Sequence, residues 1–252
     1  MVFLLLYSRV IHSFRRFLSR HGLLPKLDGW ARQSRAGLWL RSLLSVLDFD
    51  DFRALDTPWW TLKAGGEVAY FLAENPRAKV LEWGSGASTA WLAIRSGSVV
   101  SIESDPVWAT QVRAVVPRNV TILEPPVLKV EGTPATRSRR MGFRRHDFTH
   151  YVAAIDAIPG HFDLIVIDGR AREACFEIAR GRLADGGLIL FDNTNRLRYR
   201  RTLVRYRAQF VITSHVGLTP ILPWPSMTSL IRVDKNYAAK ASLTPTRPSA
   251  AS

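Results

Sequence analysis

A glycine-containing turn and a later carboxylate are the first features of this chain that could bind a ligand. Gly84 ends the short apolar run 79–84, and Gly86 follows it before a stretch with helical character. Glycine lets the backbone turn sharply and approach a ligand, and the free N–H groups at a helix start favour anions. Glu103 ends the next apolar run, about 20 residues later, where an acid can hold ribose hydroxyls.

The loop departs from the dinucleotide-binding pattern Gly-x-Gly-x-x-Gly, because Thr89 stands at the position of the third glycine. An NAD-dependent oxidoreductase is therefore a weak hypothesis for this chain. Binding of NADH in preference to another adenosine-containing ligand would be its distinguishing property.

Two further acids follow later apolar runs. Asp168 ends the run 162–168, and Asp192 with Asn193 ends the run 188–191. Neighbouring strand ends would bring these side chains together, and Mg²⁺ prefers carboxylate and amide oxygens. The residues are therefore candidate metal ligands, and Asp168 is the preferred catalytic base over two histidines of the variable region, His146 and His150.

Apolar runs that alternate with helical segments must position these residues. The pattern predicts an α/β fold, a Rossmann-like and mostly parallel seven-stranded sheet with helices on both faces. In such sheets ligands bind beyond the carboxyl ends of the strands. The predicted strands are 79–84, 98–103, 120–123, 162–168, 188–191, 210–215 and 227–233.

The remaining segments define the predicted organisation of the chain. Residues 1–75 form a helical extension, 76–235 the Rossmann-like domain, and 236–252 a disordered tail. Asp56 or Thr57 is expected to cap a helix that starts at Pro58, and Asp185-Gly186-Gly187 to stop a helix over 171–183.

The charge of the chain favours anionic partners. Lys and Arg number 35 against 21 Asp and Glu, for a net charge of +14. Such a charge attracts nucleic acid, acidic lipid or acidic substrates, although a basic solvated surface explains it equally well. The basic stretches Arg137–Arg145 and Arg196–Arg207 match no known nucleic-acid-binding module. The lone Cys175 fits a reducing compartment such as the cytoplasm.

The N-terminus has the pattern of a basic amphipathic helix, too short to span a membrane. We expect its apolar stripe to pack on the domain, with peripheral contact to an anionic membrane as the alternative. The sequence does not indicate an oligomeric state. The stripe consists of Phe3, Leu6, Val10, Phe14 and Phe17, and Arg9, Arg16 and Arg20 lie largely beside it.

Four segments in order resemble the motifs of class I S-adenosylmethionine-dependent methyltransferases. They are 80–93 (VLEWGSGASTAWLA), 99–106 (VVSIESDP), 162–170 (FDLIVIDGR) and 183–193 (LADGGLILFDN). The resemblance covers about 80–193, with plausible closing strands up to 233. It implies methyl transfer to a small or mid-sized acceptor, at an oxygen atom, and the acceptor is expected to be a small molecule that could be anionic.

The resemblance also implies roles for individual residues. Glu82 would orient the methionine end of the cofactor, Gly84 and Gly86 would lie against it, and Glu103 would hold the ribose. Ser88 stands where the family often has a third glycine, and its hydroxyl could bind the methionine carboxylate. The implied cofactor-binding residues are Glu82, Gly84, Ser85, Gly86, Ser88 and Glu103.

The strand-end acids are similar to those of metal-dependent O-methyltransferases, where an Asp and an Asp-Asn pair bind a divalent cation beside the acceptor oxygen. Those enzymes carry a Lys where this chain has Ala171, flanked by Arg170 and Arg172. A third hypothesis is a catalytically inactive methyltransferase-like module that binds nucleic acid or an anionic membrane.

Overall fold

The N-terminal part of the chain is helical. The structure, a computed structural model, describes residues 2–46 and 48–234, with side chains from Val10 onward; the predicted disordered tail at 236–252 lies outside this range. A short 3-10 helix, Leu43–Ser45, lies between the third and fourth of five helices. The helices are α1 (Val2–Arg20), α2 (Leu23–Gln33), α3 (Arg35–Ser42), α4 (Phe49–Ala54) and α5 (Leu62–Glu74). Among the described residues, no helix combines the length and apolarity needed to cross a membrane.

The rest of the described chain forms a seven-stranded sheet with flanking helices, as predicted. Its strands are β1 (Lys79–Trp83), β2 (Ser98–Ile102), β3 (Val120–Leu123), β6 (Phe162–Ile167), β7 (Leu183–Asp192), β8 (Phe210–Gly217) and β9 (Ser226–Val233). A separate antiparallel pair is formed by β4 (Leu128–Lys129) and β5 (His146–Asp147). The helices are α6 (Ala87–Ala93), α7 (Pro106–Arg113), α8 (Thr149–Ala153), α9 (Arg172–Ala179) and α10 (Leu197–Arg205), and a 3-10 helix, Ala154–Ala157, follows α8.

The strand order, β3-β2-β1-β6-β7-β9-β8, gathers the candidate acids at one edge. The first five strands in this order run parallel, and β9 runs antiparallel to both β7 and β8. The order reverses between β1 and β6, and ligands bind beyond the carboxyl ends at such a reversal. Glu82, Glu103, Asp168 and Asp192 all lie at or next to the carboxyl ends of these strands.

The sheet separates two apolar cores, because successive side chains of a strand point to opposite faces. Leu81 and Trp83 of β1 pack on one face with Tyr151 and Phe176. Val80 packs on the other face, where α5 contributes a large share of the core. The apolar residues from the N-terminal part in this second core are Trp60, Ala64, Val68, Phe71 and Leu72. The part of the chain just before β1 therefore packs on the sheet as part of the apolar core.

The predicted start of α5 at Pro58 is wrong. The helix begins at Leu62, and Asp56 instead pairs with Arg95 at 2.5 Å. The backbone N–H of Thr61 donates to Thr228 Oγ1, and that of Leu62 to the carbonyl of Leu218. Because β9 and the segment before it take these donors, the chain stays non-helical up to Thr61.

The Asp185-Gly186-Gly187 segment is not a helix stop. Helix α9 ends at Ala179, and these residues lie inside β7, which begins at Leu183. Phe162 pairs with Leu183 across the sheet, and its N–H donates to the carbonyl of Arg182 at 2.9 Å. Pairing with β6 thus extends β7 through the glycines.

The ends of β1 and β6 are in backbone contact through two glycines. Gly84 has a φ of +101°, and a Cβ on it would lie 2.7 Å from the Cα of Gly169. A Cβ on Gly169 would lie 2.0 Å from the Tyr151 hydroxyl and 2.9 Å from the N of Gly84. Neither position has room for a side chain, so this contact sets the spacing of the two loops.

Replacement of Gly169 by Ala is expected to lower the free energy of unfolding by about 1–3 kcal/mol, because an added methyl group overpacks a closed site. Urea denaturation of the wild type and the variant measures the change. The matched control is Gly132→Ala, where a Cβ meets no atom within 4 Å and the effect should stay within about 0.5 kcal/mol. Equal stability of the two variants would contradict the close contact.

Candidate functional site

Glu82 is fully buried and is bound by three hydroxyl groups. Ser88 donates to Oε1 at 2.5 Å, while Thr89 and Ser101 donate to Oε2 at 2.6 and 2.8 Å. Burial raises the pKa of Glu82 to about 7, against the lowering effect of these three hydrogen bonds. The carboxyl group therefore joins the first turn of α6 to β2 and titrates near neutrality.

Glu103 holds the other side of the glycine loop. Its Oε2 accepts the N–H of Ser85 at 3.0 Å, and its Oε1 accepts the N–H groups of Ser104 and Asp105 at 2.6 and 2.9 Å. The side chain is buried. Glu103 thus lies directly against the loop at the end of β1, as its spacing in the sequence predicts.

The loop between Glu82 and α6 leaves space above one glycine only. A Cβ on Gly86 would meet nothing within 4 Å, whereas Gly84 is packed against Gly169. Ser85 is buried, its hydroxyl lies 2.8 Å from that of Ser101, and its carbonyl accepts the Trp108 indole N–H. The open side of this loop is therefore at Gly86.

Asp168 and Asp192 are joined by a buried arginine. Arg172 Nη2 lies 2.7 Å from Asp168 Oδ1, and Nη1 lies 3.7 Å from Asp192 Oδ2. The same guanidinium donates to the backbone carbonyls of Gly169 and Asp192 at 3.0 and 2.8 Å. Burial raises the pKa of Asp168 and of Asp192, and Arg172 counteracts both shifts.

The three predicted metal ligands do not fit a divalent cation. The guanidinium of Arg172 already lies between the two carboxylates, so a cation there would face a fixed positive charge. The side-chain amide of Asn193 donates to Asp192 Oδ2 at 2.5 Å, so this carboxylate oxygen is already hydrogen-bonded. Within 2–46 and 48–234, His, Cys, Asp and Glu side chains form no group of three suited to a metal.

Several residues of the site escaped prediction because their contacts span the fold. The Trp60 indole donates to Asp168 Oδ2 at 3.2 Å, from a region outside the recognised motifs. The Thr228 hydroxyl of β9 donates to Asp192 Oδ1 at 2.6 Å. The sequence does not indicate the contacts of Arg172, which it shows only beside Ala171. Gly169, directly after Asp168, is the one residue whose type indicates a close contact here.

Arg170 lies two residues after Asp168 and forms no ion pair with an acid in the described part of the chain. Its guanidinium carbon is 5.3 Å from the centre of the Phe143 ring, in the predicted basic stretch 137–145. Its Nε is buried and has no hydrogen-bond partner. Burial lowers the pKa of Arg170, and the positive charge of Arg140 lowers it further. Arg170 is thus a cation close to the site that forms no ion pair within the described residues, although the charge of Glu103 partly offsets these effects on its pKa.

The fold and this loop geometry define a Rossmann-like scaffold, and comparisons with known proteins agree. Residues 81–194 match a family described as a methyltransferase domain. None of the curated proteins matches the chain. This matched segment is somewhat less than half of the chain, and it shows a likeness to a methyltransferase domain, as the sequence predicts.

Solved structures share this fold at low sequence identity. A Klebsiella pneumoniae protein assigned as an O-methyltransferase aligns with a TM-score of 0.53 at 18% identity, over 77% of this chain and 90% of its own. An O-methyltransferase from Bacillus cereus, in complex with SAH, aligns with a TM-score of 0.54 at 20% identity over the same shares. These likenesses establish the seven-stranded Rossmann-like architecture.

Replacement of Arg172 by Met is expected to lower the free energy of unfolding by about 3–5 kcal/mol at neutral pH, because the buried Asp192 and the partly buried Asp168 lose their cation. Chemical denaturation checks the value. Adding Asp168→Asn and Asp192→Asn to the variant should recover part of the loss, since the uncompensated charges are then removed.

The matched control for Arg172 is Arg180→Met, which removes a partly exposed arginine 3.6 Å from Glu177. Its effect should be below about 1 kcal/mol, as is usual for surface ion pairs. If the two arginine variants were equally stable, the proposed charge compensation at the strand ends would be wrong.

Proposed function

We propose that this protein is an S-adenosylmethionine-dependent methyltransferase that acts on an oxygen atom of a small acceptor. The observation that carries the proposal is the glycine loop at the reversal of strand order, held between the carboxylates of Glu82 and Glu103. The Bacillus cereus relative was solved with SAH, which supports the same donor here.

The cofactor would lie over the open side of the loop at Gly86. Glu103 would accept a hydrogen bond from a ribose hydroxyl through Oε2, which accepts only the N–H of Ser85, whereas Oε1 already has three donors. Glu82 would attract the ammonium group of the methionine end. Ser85 and Ser88 would keep the loop in place through Ser101 and Glu82, so their role is to position the loop. The contact of Gly84 with Gly169 keeps the loop close to β6.

Asp168 is the residue best placed to take the acceptor proton. S-adenosylmethionine supplies an activated methyl group on a sulfonium, so the protein mainly aligns the acceptor and removes its proton. Burial raises the pKa of Asp168, which makes the carboxylate a stronger base than an exposed one. The Trp60 indole and Arg172 fix its two oxygens in place.

The acceptor we propose is a small molecule that carries an acidic group. Arg170 lies two residues from Asp168 and has a buried Nε without a partner. A carboxylate or phosphate would supply the missing acceptors in a two-pronged geometry. We place the enzyme in the cytoplasm, with peripheral contact between α1 and a membrane, and do not favour nucleic acid as a partner.

Binding of S-adenosylhomocysteine is expected to tighten as the pH rises to about 7 and then to level off. Below pH 7 the Glu82 carboxyl of the free protein is protonated, and an ammonium ligand requires the ionised form. Affinity should therefore increase about tenfold per pH unit below pH 7. Isothermal titration calorimetry measures both the affinity and the released proton.

The Glu82→Gln variant should bind S-adenosylhomocysteine with little dependence on pH, and Glu103→Ala should weaken binding by about 1–3 kcal/mol through lost hydrogen bonds. Failure of the wild-type protein to bind at millimolar ligand would refute the proposed cofactor. If the wild type and Glu82→Gln bound with equal pH dependence, the proposed role of Glu82 would be wrong, while the proposed cofactor would stand.

Replacement of Asp168 by Asn should lower kcat about 10²–10⁴-fold and leave binding of S-adenosylhomocysteine nearly unchanged, because general bases contribute rate accelerations of that size. Methyl transfer is measured with radiolabelled S-adenosylmethionine and a panel of hydroxylated acids with their neutral amides. EDTA should not change the rate, since Arg172 takes the position between the acids.

The control for this variant is Asp163→Asn, at the opposite end of β6, where the carboxylate accepts the N–H of Lys79. This variant should keep the wild-type kcat. Full activity of Asp168→Asn would show that the acceptor needs no base at this position.

A further inference from the structure

Helix α1 presents an apolar stripe that is largely exposed, and its one described aromatic contact from beyond the helix is the His21 ring, 4.3 Å from that of Phe17. Val10, Phe14 and Phe17 are 60%, 50% and 51% exposed. Their spacing of four and three residues puts them on one face of a helix. The Phe14 and Phe17 rings stack with centroids 6.4 Å apart, so the exposed groups are contiguous. The expectation that this stripe packs on the domain is therefore wrong for these three residues.

Polar contacts on another side of α1 fix its rotation. Arg15 lies 2.7 Å from Asp48 and 2.7 Å from Asp51, and His12 Nε2 lies 3.0 Å from the carbonyl of Val46. Since residues 12 and 15 face the protein, the helical period turns residues 10, 14 and 17 away from it. The exposure of the stripe thus follows from specific ion pairs at the base of the helix.

Two arginines border the stripe. Arg16 and Arg20 are exposed, and they lie on the helix surface between the apolar face and the face that packs on the protein. Neither has an ion pair among the described residues. An apolar stripe with uncompensated arginines beside it has the chemistry of a helix that lies in the headgroup region of a bilayer.

We infer that α1 binds the surface of an anionic lipid bilayer, with Val10, Phe14 and Phe17 inserted among the acyl chains. Arg16 and Arg20 would meet the phosphates of acidic lipids, to which basic residues near the surface are attracted. The helix would lie along the surface, in agreement with the lack of a described helix suited to cross it. This inference does not depend on the proposed methyl transfer.

Charge argues against two other partners for the stripe, a second copy of the chain and residues 235–252. In a second copy of the chain, the same two arginines would face their counterparts, which like-charge repulsion disfavours. Residues 235–252 contain Lys235, Lys240 and Arg247 and no acid, so this segment also lacks the charge to complement the arginines. An anionic bilayer satisfies both the apolar and the charged part of the surface.

The test is flotation of the full-length protein with vesicles of phosphatidylcholine alone or mixed with phosphatidylglycerol. The wild type should bind the mixed vesicles and not the neutral ones. Phe14→Asp should reduce partitioning about tenfold or more, since it puts a charge into the apolar layer. The matched control is Val107→Asp on α7, where the side chain is 71% exposed and partitioning should not change.

The double variant Arg16→Ala/Arg20→Ala should weaken binding about fivefold for each arginine removed. Arg200→Ala/Arg201→Ala removes the same charge from exposed positions of α10 and should have a much smaller effect. The inference fails if the wild type ignores the mixed vesicles or if both double variants lose binding equally.

Sedimentation velocity of the wild type and Phe14→Asp tests whether the stripe instead joins two copies of the chain. A dimer that Phe14→Asp dissociates would assign the stripe to a second copy and overturn the inference. Circular dichroism and thermal denaturation of each variant in solution report whether its fold is intact, independently of vesicle binding and of the proposed cofactor.

Discussion

Four carboxylates at one edge of the sheet impose the main physical constraint on this protein. Glu82, Glu103, Asp168 and Asp192 follow adjacent parallel strands, and three of them are almost completely buried. A buried charge without partners is costly, so each acid must be paired or hydrogen-bonded. The conformations of the loops after β1, β2, β6 and β7 follow from how these partners are supplied.

The buried carboxylates have two different kinds of partners. Glu82 is surrounded by neutral hydroxyls, so its charge is not compensated and its pKa lies near neutrality. Asp168 and Asp192 share the permanent charge of Arg172, which also binds the backbone after both strands. The first arrangement leaves a group that can respond to a charged ligand. The second holds two strand ends together and takes the position that a metal ion would need.

Local patterns predicted the strand-end acids and the glycine turn, because a strand, its end and the following loop are adjacent in sequence. They did not predict partners that arrive from elsewhere. Trp60 reaches Asp168 across 108 positions, and Thr228 reaches Asp192 across 36. The start of α5 and the extent of β7 were mispredicted for the same reason, since distant backbone pairing overrode the local signals of Pro58 and Gly186.

The orientation of α1 illustrates this limit on a larger scale. Periodicity defines an apolar stripe, but it does not determine whether the stripe faces the protein or the solvent. The ion pairs of Arg15 with Asp48 and Asp51 decide this, and Asp51 is itself held by Arg41 at 2.7 Å. A net charge of +14 attracts anions to the chain as a whole. On α1 the arginines lie beside exposed apolar rings, so that part of the surface favours a partner that is both anionic and apolar. Neither the charge nor the apolar rings alone would give stable attachment.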